Sequence, residues 1–203
     1  MRVAVRICRD GRTQTLRVIA GQYRSRPLRS LPGLDIRPTA DRLRETLFNV
    51  LTSGNPAALE GSAWADLYAG TGAVGIEALS RGATNVLFVE SARSSVQLIQ
   101  ENLRSLKIDQ GFEVVQGDVG KVLRRWQDQS ATFDYIFLDP PYRMESEYND
   151  TLEYLGQSAL LKPTTTIIAE HAKQFDPIEE AGELRRYRKL KQGDATLSFY
   201  RKQ

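Results

Sequence analysis

The stretch that decides the fold is Asp66-Leu67-Tyr68-Ala69-Gly70-Thr71-Gly72-Ala73-Val74-Gly75. It follows an apolar segment and leads into a helix-like segment at residues 76–81. Its three glycines match the pattern G-x-G-x-x-G, which lets the backbone approach a nucleotide-like ligand closely. The pattern does not choose the ligand by itself, because nicotinamide and flavin cofactors use it as well.

Acidic residues follow the next two predicted strands. Glu90 ends the apolar run 86–89, and a carboxylate there can hold both ribose hydroxyls of NAD or of S-adenosylmethionine. Asp118 follows the predicted strand 112–116 and can accept a hydrogen bond from an adenine amino group. The alternatives are an ordinary acid at a helix start for Glu90 and a helix N-cap for Asp118, and one residue could serve both roles. In a doubly wound sheet both lie outside the carboxyl ends of the strands, where ligands bind.

A short loop, Asp139-Pro140-Pro141-Tyr142, closes the apolar run 135–138. An exocyclic amino group on a base is a poor nucleophile because its lone pair is delocalised into the ring. The Asp139 carboxylate and the Pro140 carbonyl can both accept hydrogen bonds from that group and hold its nitrogen towards a methyl donor. The prolines stiffen the loop, and Tyr142 offers a ring face on which the base can stack. The alternative is a strand closed by a proline turn with a half-buried tyrosine.

Predicted strands and helices alternate from residue 63 onward, which is typical of a parallel sheet with helices on both faces. We place strands near 63–69, 85–90, 112–116, 133–139 and 164–170, and helices near 73–81, 92–105, 119–128 and 147–159. Two further strands, 184–191 and 196–200, predict a terminal antiparallel hairpin. This pattern predicts an α/β fold class that is Rossmann-like, with a mostly parallel seven-stranded sheet. The terminal antiparallel hairpin fits the class I methyltransferase arrangement better than that of a dehydrogenase.

A basic N-terminal extension, residues 1–59, is expected to precede a main domain at 60–203. Residues 16–21 predict a short strand, and residues 24–29 predict a basic turn or a second strand. A helix is expected from Thr39, as its N-cap, to about Ser53. The segment 37–45 could pack the helix on the domain and close over the cofactor, or it could present Arg37, Arg42 and Arg44 to RNA phosphates.

The charge distribution is strongly asymmetric. Residues 1–59 hold eleven arginines and no lysine against four acids, which gives this segment a charge of +7. The whole chain carries +3, so the remaining residues carry −4. Arginine forms forked hydrogen bonds to phosphate and stacks on bases, so this segment predicts contact with a polyanion. We assign RNA contact to five residues: Arg24, Arg26, Arg29, Arg37 and Arg42.

Composition excludes several classes of protein. A hydrophobic fraction of 41% and a mean hydropathy of −0.40 fit a globular protein in the cytoplasm, and no apolar run reaches the roughly 20 residues that cross a bilayer. Cys8 is the only cysteine, so neither an internal disulfide nor a cysteine-based metal cluster can form, and we expect no metal. The single histidine, His171, has no matching serine or cysteine motif, which argues against a hydrolytic triad. We expect a monomer.

Two further segments give the chain a family resemblance. Residues 17–26, Arg-Val-Ile-Ala-Gly-Gln-Tyr-Arg-Ser-Arg, and residues 37–49, Arg-Pro-Thr-Ala-Asp-Arg-Leu-Arg-Glu-Thr-Leu-Phe-Asn, are similar to segments of the bacterial RsmD-type family. Residues 66–77, 79–83 and 139–142 complete the likeness, which covers nearly the whole chain. Departures are mild: Tyr68 and Thr71 stand where Phe and Ser are also common, and the N-terminus before residue 17 is somewhat longer.

The resemblance implies transfer of a methyl group from S-adenosylmethionine to the exocyclic N2 of guanine 966 in 16S ribosomal RNA. It also implies action on the assembled 30S subunit or a late intermediate. Catalytic roles then fall to Asp139, Pro140, Pro141 and Tyr142. Cofactor contacts fall to Asp66, Tyr68, Gly70, Gly72, Gly75, Glu90 and Asp118. An adenine-N6 methyltransferase and a non-catalytic RNA-binding assembly factor remain open, because residue chemistry alone does not separate guanine N2 from adenine N6.

Overall fold

The computed structural model describes residues 16–30 and 38–203. The helices are α1 (Pro38–Leu51), α2 (Ala73–Ser80), α3 (Arg93–Leu106), α4 (Val119–Asp128) and α5 (Glu145–Gly156). The strands are β1 (Ala63–Leu67), β2 (Asn85–Glu90), β3 (Phe112–Gln116), β4 (Phe133–Leu138), β5 (Leu161–Ala172), β6 (Glu180–Ala181), β7 (Leu184–Gln192) and β8 (Ala195–Lys202). They form one sheet in the order β3-β2-β1-β4-β5-β8-β7-β6, parallel through β5 and antiparallel beyond it.

The predicted α/β fold with its terminal antiparallel hairpin is confirmed. The sheet has eight strands rather than seven, because the two-residue strand β6 pairs with the start of β7. Two residues carry too little side-chain pattern to predict a strand from sequence. Strand β5 begins three residues earlier than expected, and the predicted helix at 147–159 runs instead from Glu145 to Gly156.

Two predictions for the N-terminal extension were wrong in detail. Residues 16–21 do not form a strand, since only an isolated antiparallel bridge joins Arg17 to Pro27. The turn between them takes up the residues that a longer ladder would need. Thr39 is not the N-cap of α1, because the helix already begins at Pro38. Proline suits the first position of a helix, where its missing N–H would have no partner.

The described part of the extension shares a core with the sheet. Leu16, Val18 and Leu28 are buried in the same cluster as α1, α2 and α3 on one sheet face. The ring of Phe48 on α1 stacks on Trp64 of β1 with centroids 5.4 Å apart. The boundary proposed at residue 59 therefore divides the sequence but not the hydrophobic core. Helices α4 and α5 cover the opposite face.

A buried acid holds the extension in place. The Glu77 carboxylate on α2 accepts hydrogen bonds from the backbone N–H groups of Ile19 and Ala20, at 2.7 and 2.9 Å. Nε of Arg81 donates to the same carboxylate at 2.7 Å, and Nε of Arg44 lies 3.9 Å from it. A buried carboxylate is tolerable only with such partners, so residues 16–30 are part of what makes the interior of α2 stable. Within the described residues, the helices are all too short or too polar to cross a membrane.

Candidate active site

Four residues stand side by side at the carboxyl edge of the sheet. The strand register pairs Leu67 with Val89 on one side and with Leu138 on the other, and it pairs Leu138 with Ala169. Neighbouring strands lie about 4.8 Å apart, so the residues that come next are neighbours as well. These residues are Glu90, Tyr68, Asp139 and Glu170.

A cavity of about 630 Å³ opens at this edge. Its lining brings together most of the predicted site: Gly70, Glu90, Asp118 and residues 139–142, with Glu147 and Glu170 added. A smaller cavity of about 240 Å³ shares Gly70, Asp139 and Glu170 with it and extends beneath α1 to Arg44. Leu43 of α1 lines both cavities, so this helix forms part of the wall of the site.

The glycine loop turns sharply between β1 and α2. Gly70 and Gly72 have φ angles of 54° and 74°, in the left-handed region that favours glycine. Of the three glycines, Gly70 lines the larger cavity, whereas Gly75 packs inside the domain. A Cβ added at Gly75 would lie 2.8 Å from both Phe88 Cζ and Val86 Cγ1 on β2. Gly75 therefore permits close packing of helix on strand, one of the roles that this pattern has in dinucleotide-binding folds.

The side chains of Asp66 and Tyr68 make hydrogen bonds that hold the glycine loop and the neighbouring helix in place. The Asp66 carboxylate accepts a hydrogen bond from Gly75 N–H at 2.9 Å, and burial raises the pKa of Asp66 to about 7. Asp66 lines only the smaller cavity, while Tyr68 lines both. The Tyr68 hydroxyl donates to Glu147 at 2.8 Å and lies 3.1 Å from the Thr151 hydroxyl. Both residues thus position the backbone that surrounds the cavity.

Glu90 and Asp118, the two acids that line the larger cavity near the glycine loop, differ in their hydrogen bonds. Glu90 accepts hydrogen bonds from Gly70 N–H at 2.9 Å and from Ala92 N–H at 2.8 Å, so both carboxylate oxygens are fixed at the cavity wall. Asp118 caps α4, since its Oδ1 accepts from Lys121 N–H at 3.0 Å. The cap uses one oxygen of an exposed carboxylate, and Asp118 also lines the cavity. The capping alternative is confirmed, and a ligand contact by the second oxygen is compatible with it.

The proline loop is anchored through its carbonyl. The hydroxyl of Tyr148 on α5 lies 3.0 Å from the carbonyl oxygen of Pro140 and 2.9 Å from that of Glu170. This fully buried tyrosine therefore ties the end of β4 to β5. A carbonyl oxygen has two lone pairs, so Pro140 can still accept a second hydrogen bond from a ligand. Tyr142 is 41% exposed, which leaves part of its ring available for stacking.

Asp139 and Glu170 form an electrostatically strained pair. Burial, followed by the neighbouring charge of Glu170, raises the pKa of Asp139 well above its usual range. Burial likewise raises the pKa of Glu170 to about 7, against the opposing effects of the Tyr142 hydroxyl at 3.5 Å and of Arg44. Like charges at such a site disfavour full ionisation of both groups. Hydrogen-bond donors supplied by a ligand would therefore stabilise the ionised forms of this pair.

The arginines assigned to RNA contact differ in their exposure and in their contacts. Arg24, Arg26, Arg29 and Arg42 are exposed, whereas Arg37 lies outside the described residues, as does Cys8. Arg29 pairs with Glu101 at 2.8 Å, and Arg26 donates to the carbonyl of Ser105 near the end of α3.

Arg44 is not available to phosphates. It is 5% exposed and donates to Asp41 at 3.0 Å and to the carbonyl of Arg17 at 2.6 Å. The role of Arg44 is therefore structural, because its guanidinium joins α1 to residues 16–30.

Sequence reasoning missed several residues that line the larger cavity, among them the acids Glu170 and Glu147. Glu170 had a usable signal, since it follows the apolar run Ile167-Ile168-Ala169 in the same way as Glu90 and Asp139 follow theirs. Glu147 had none, because it lies in the first turn of α5 among other acids. His171 is fully buried and bonded to Ser198 at 2.9 Å, and it does not line either cavity.

The parallel sheet with its antiparallel hairpin, the glycine loop and the Asp-Pro-Pro-Tyr loop together define a class I methyltransferase. The profile of a family described as "Conserved hypothetical protein 95" matches residues 16–201. The chain belongs to this family, the RsmD-type methyltransferases that its motifs resemble.

Individual relatives agree with this placement. The chain is 36% identical over 159 residues to "Ribosomal RNA small subunit methyltransferase D" of Haemophilus influenzae, covering 78% of this chain and 79% of that protein. It is 35% identical over 157 residues to the Escherichia coli protein of the same name, covering 76% and 74%. A solved structure of the Escherichia coli protein yhhF superposes with a TM-score of 0.78 at 30% identity, covering 94% of this chain and 99% of that one.

Proposed function

We propose that this chain transfers a methyl group from S-adenosylmethionine to the exocyclic N2 of guanine 966 in 16S ribosomal RNA, on the assembled small subunit or a late intermediate. The observation that carries the proposal is the juxtaposition of Asp139 with Gly70 and Glu90 on one cavity. This places acceptors for an amino group beside a loop suited to a nucleotide-like ligand. The relatives named as small-subunit rRNA methyltransferases support the substrate.

The residues present fit S-adenosylmethionine. Glu90 has both carboxylate oxygens fixed by backbone donors, and the oxygen bonded to Gly70 N–H keeps a lone pair for a ribose hydroxyl. Asp118 has a carboxylate oxygen that its cap does not use, which can accept from an adenine amino group. Gly70 lines the same wall and has no side chain, so its backbone can contact a ligand directly. When bound there, S-adenosylmethionine supplies an electrophilic methyl carbon.

The chemistry at the target falls to the proline loop. Asp139 and the Pro140 carbonyl accept from the amino group and aim its nitrogen lone pair along the line of attack. The nitrogen forms a bond to the methyl carbon as the bond from that carbon to sulfur breaks, which leaves a neutral thioether. The methylated nitrogen then loses a proton to Asp139 or to water. Burial raises the pKa of Asp139, which makes its carboxylate a better proton acceptor than an ordinary one and suits it to this step.

A guanine inside folded RNA must leave its stack to reach this cavity. The half-exposed ring of Tyr142 lies at the cavity wall, where it offers a stacking surface for the extruded base. Arg24, Arg26, Arg29 and Arg42 are the exposed cations of the extension that we assign to the RNA backbone, and Arg37 is assigned with them from sequence. Such contacts position RNA without reading its sequence.

The test is methyl transfer from labelled S-adenosylmethionine to 30S subunits that lack their native methylations, followed by nucleoside mass spectrometry and mapping of the modified position. Wild-type protein and Asp139→Ala are compared, and cofactor affinity is measured for both. We expect N2-methylguanosine at position 966 from the wild type, and a loss of at least about 100-fold in rate for Asp139→Ala with cofactor affinity retained.

Each other result would change the proposal in a defined way. Methyladenosine would identify an adenine-N6 enzyme instead. Cofactor binding without transfer to subunits or to free 16S RNA would contradict the proposed reaction. Transfer to free RNA but not to subunits would overturn the proposed particle while leaving the chemistry intact.

A further inference from the structure

Two neighbouring carboxyl groups face the larger cavity with unused acceptor capacity. Asp139 and Glu170 follow paired residues on β4 and β5, and both line the cavity. Within residues 16–30 and 38–203, no protein donor makes a hydrogen bond to the Asp139 carboxylate. Glu170 receives one from the Tyr142 hydroxyl at 3.5 Å, a long contact. Both side chains are only partly exposed, and partly buried acceptors are best satisfied by partners, so a ligand that brings its own donors fits this pair.

The donors must sit on adjacent atoms of one ligand, because the two carboxyl groups extend from neighbouring strands about 4.8 Å apart. Ionised carboxylates only accept hydrogen bonds. Guanine alone among the four RNA bases has an amino group next to a ring N–H, at N2 and N1. In adenine and cytosine the ring nitrogen beside the amino group is an acceptor, and its lone pair would oppose a carboxylate.

We infer that Glu170 accepts a hydrogen bond from N1–H of the target guanine while Asp139 and the Pro140 carbonyl hold its N2 amino group. Glu170 is then the residue that restricts this site to guanine. The inference rests on the proposed function, and it deepens that function by assigning the discrimination between bases to one side chain on β5.

A buried cation supports this role. Arg44 lines the smaller cavity together with Glu170 and Asp139, and its positive charge favours the ionised form of Glu170. Arg44 is held in place by Asp41 and by the carbonyl of Arg17. A carboxylate in the ionised form can accept from a ring N–H but cannot donate to an acceptor nitrogen. In its ionised form Glu170 therefore selects guanine over adenine.

The test measures all four combinations of two enzymes and two substrates. The enzymes are wild type and Glu170→Gln, and the substrates are small subunits reconstituted with 16S RNA that carries either guanine or 2-aminopurine at the target position. 2-Aminopurine keeps the N2 amino group but has an acceptor at N1. It also lacks O6, but that loss is common to both enzymes and cancels in the comparison. The measured quantity is the ratio of kcat/KM for guanine to kcat/KM for 2-aminopurine.

We expect the wild type to prefer guanine by about 100-fold and the preference to fall by about 10- to 100-fold in Glu170→Gln, because the amide can donate to the acceptor at N1. If the variant is too slow for kinetics, competition between the two substrates for binding gives the ratio of their dissociation constants, which should change in the same direction. Glu147→Gln is the matched control, since Glu147 lines the same cavity but is already bonded to Tyr68. Its ratio should equal that of the wild type.

An unchanged ratio in Glu170→Gln, with wild type still forming N2-methylguanosine, would overturn the inference and leave the proposed function standing. Absence of N2-methylguanosine from the wild type would instead overturn the proposed function. An equal fall of the ratio in both variants would show a general effect of cavity charge and would also overturn the assignment to Glu170. Thermal unfolding of each variant verifies that it is folded during the measurement.

Discussion

The Tyr148 hydroxyl lies 3.0 Å from the carbonyl oxygen of Pro140, and this contact fixes the loop that carries Asp139. The same hydroxyl lies 2.9 Å from the carbonyl of Glu170, so a single side chain of α5 spans both proposed base-binding strands. Positions of reacting groups matter at the scale of about 1 Å in catalysis. Tyr148 is therefore a positioning residue that does not itself touch the substrate.

Tyr148→Phe should lower kcat about 10-fold and leave cofactor affinity close to that of the wild type, because the loop loses its anchor while Glu90 is untouched. Removing one partner of a buried hydrogen bond should also cost about 1–2 kcal/mol of unfolding free energy. Steady-state kinetics and urea unfolding measure the two effects. Tyr154→Phe is the control on the same helix, because the Tyr154 hydroxyl is without a hydrogen-bond partner among the residues that the structure describes. An equal effect of both substitutions would contradict the positioning role.

Gly75→Ala should destabilise the protein by about 1–3 kcal/mol, because the added methyl group would press against Phe88 and Val86. Thermal unfolding measures the change. Gly120→Ala on α4 is the matched control, since the atoms nearest its added Cβ are 3.5 Å away or more. The control should be neutral or slightly stabilising because alanine favours a helix. A stable Gly75→Ala variant would show that the contact between α2 and β2 is not tightly packed.

Stability should respond to pH through Glu170. Its pKa in the folded protein is raised to about 7 from 4.5, so the folded state holds the proton longer than the unfolded state does. This contribution to stability is present below about pH 4.5 and is lost as pH rises towards and through 7. Glu170→Gln removes the titration and should raise the unfolding temperature by about 2–4 °C at pH 8.5 but change it little at pH 5.

The exposed residue Glu45 offers the control for that comparison. Glu45→Gln measures how far the unfolding temperature changes when an exposed carboxylate is replaced by an amide. Scanning calorimetry of both variants over pH 5–8.5 gives the full curves. A shift for Glu170→Gln that is the same at every pH would mean that the carboxyl group is not under electrostatic strain in the folded protein.

Replacing Arg24, Arg26 and Arg29 together by alanine should weaken RNA binding and reduce the slope of log affinity against log salt by about 2–3. Cofactor affinity should not change, because none of the three lines the cavities. The control replaces Lys162, Arg185 and Lys202, which lie on β5, β7 and β8 and are paired with acids. It removes the same charge from outside the N-terminal extension. Unchanged RNA affinity in the first variant would refute the assignment.

Much of the fold followed from local pattern. Strand β2, strand β3 and helix α4 have the expected limits or lie within a residue of them, because apolar runs are bounded by glycine, aspartate and serine. The hairpin of β7 and β8 was predicted for the same reason. The short strand β6 was not, because its pairing comes from where the chain passes β7 and not from its own side chains.

The candidate site likewise contains residues that local sequence predicts and relationships that only the folded chain shows. The amino-acid sequence was enough to predict the glycine loop, Glu90, Asp118 and the Asp139 loop, since each is a motif at a strand end and parallel strands bring their carboxyl ends together. Tertiary structure alone decided that Gly75 packs on Phe88, that Arg44 is buried, and that Tyr148 holds the Pro140 carbonyl. It also decided that Glu170 stands beside Asp139. These relationships join residues that are distant in the chain, and only the register of neighbouring strands and the packing of helices on them bring such residues into contact.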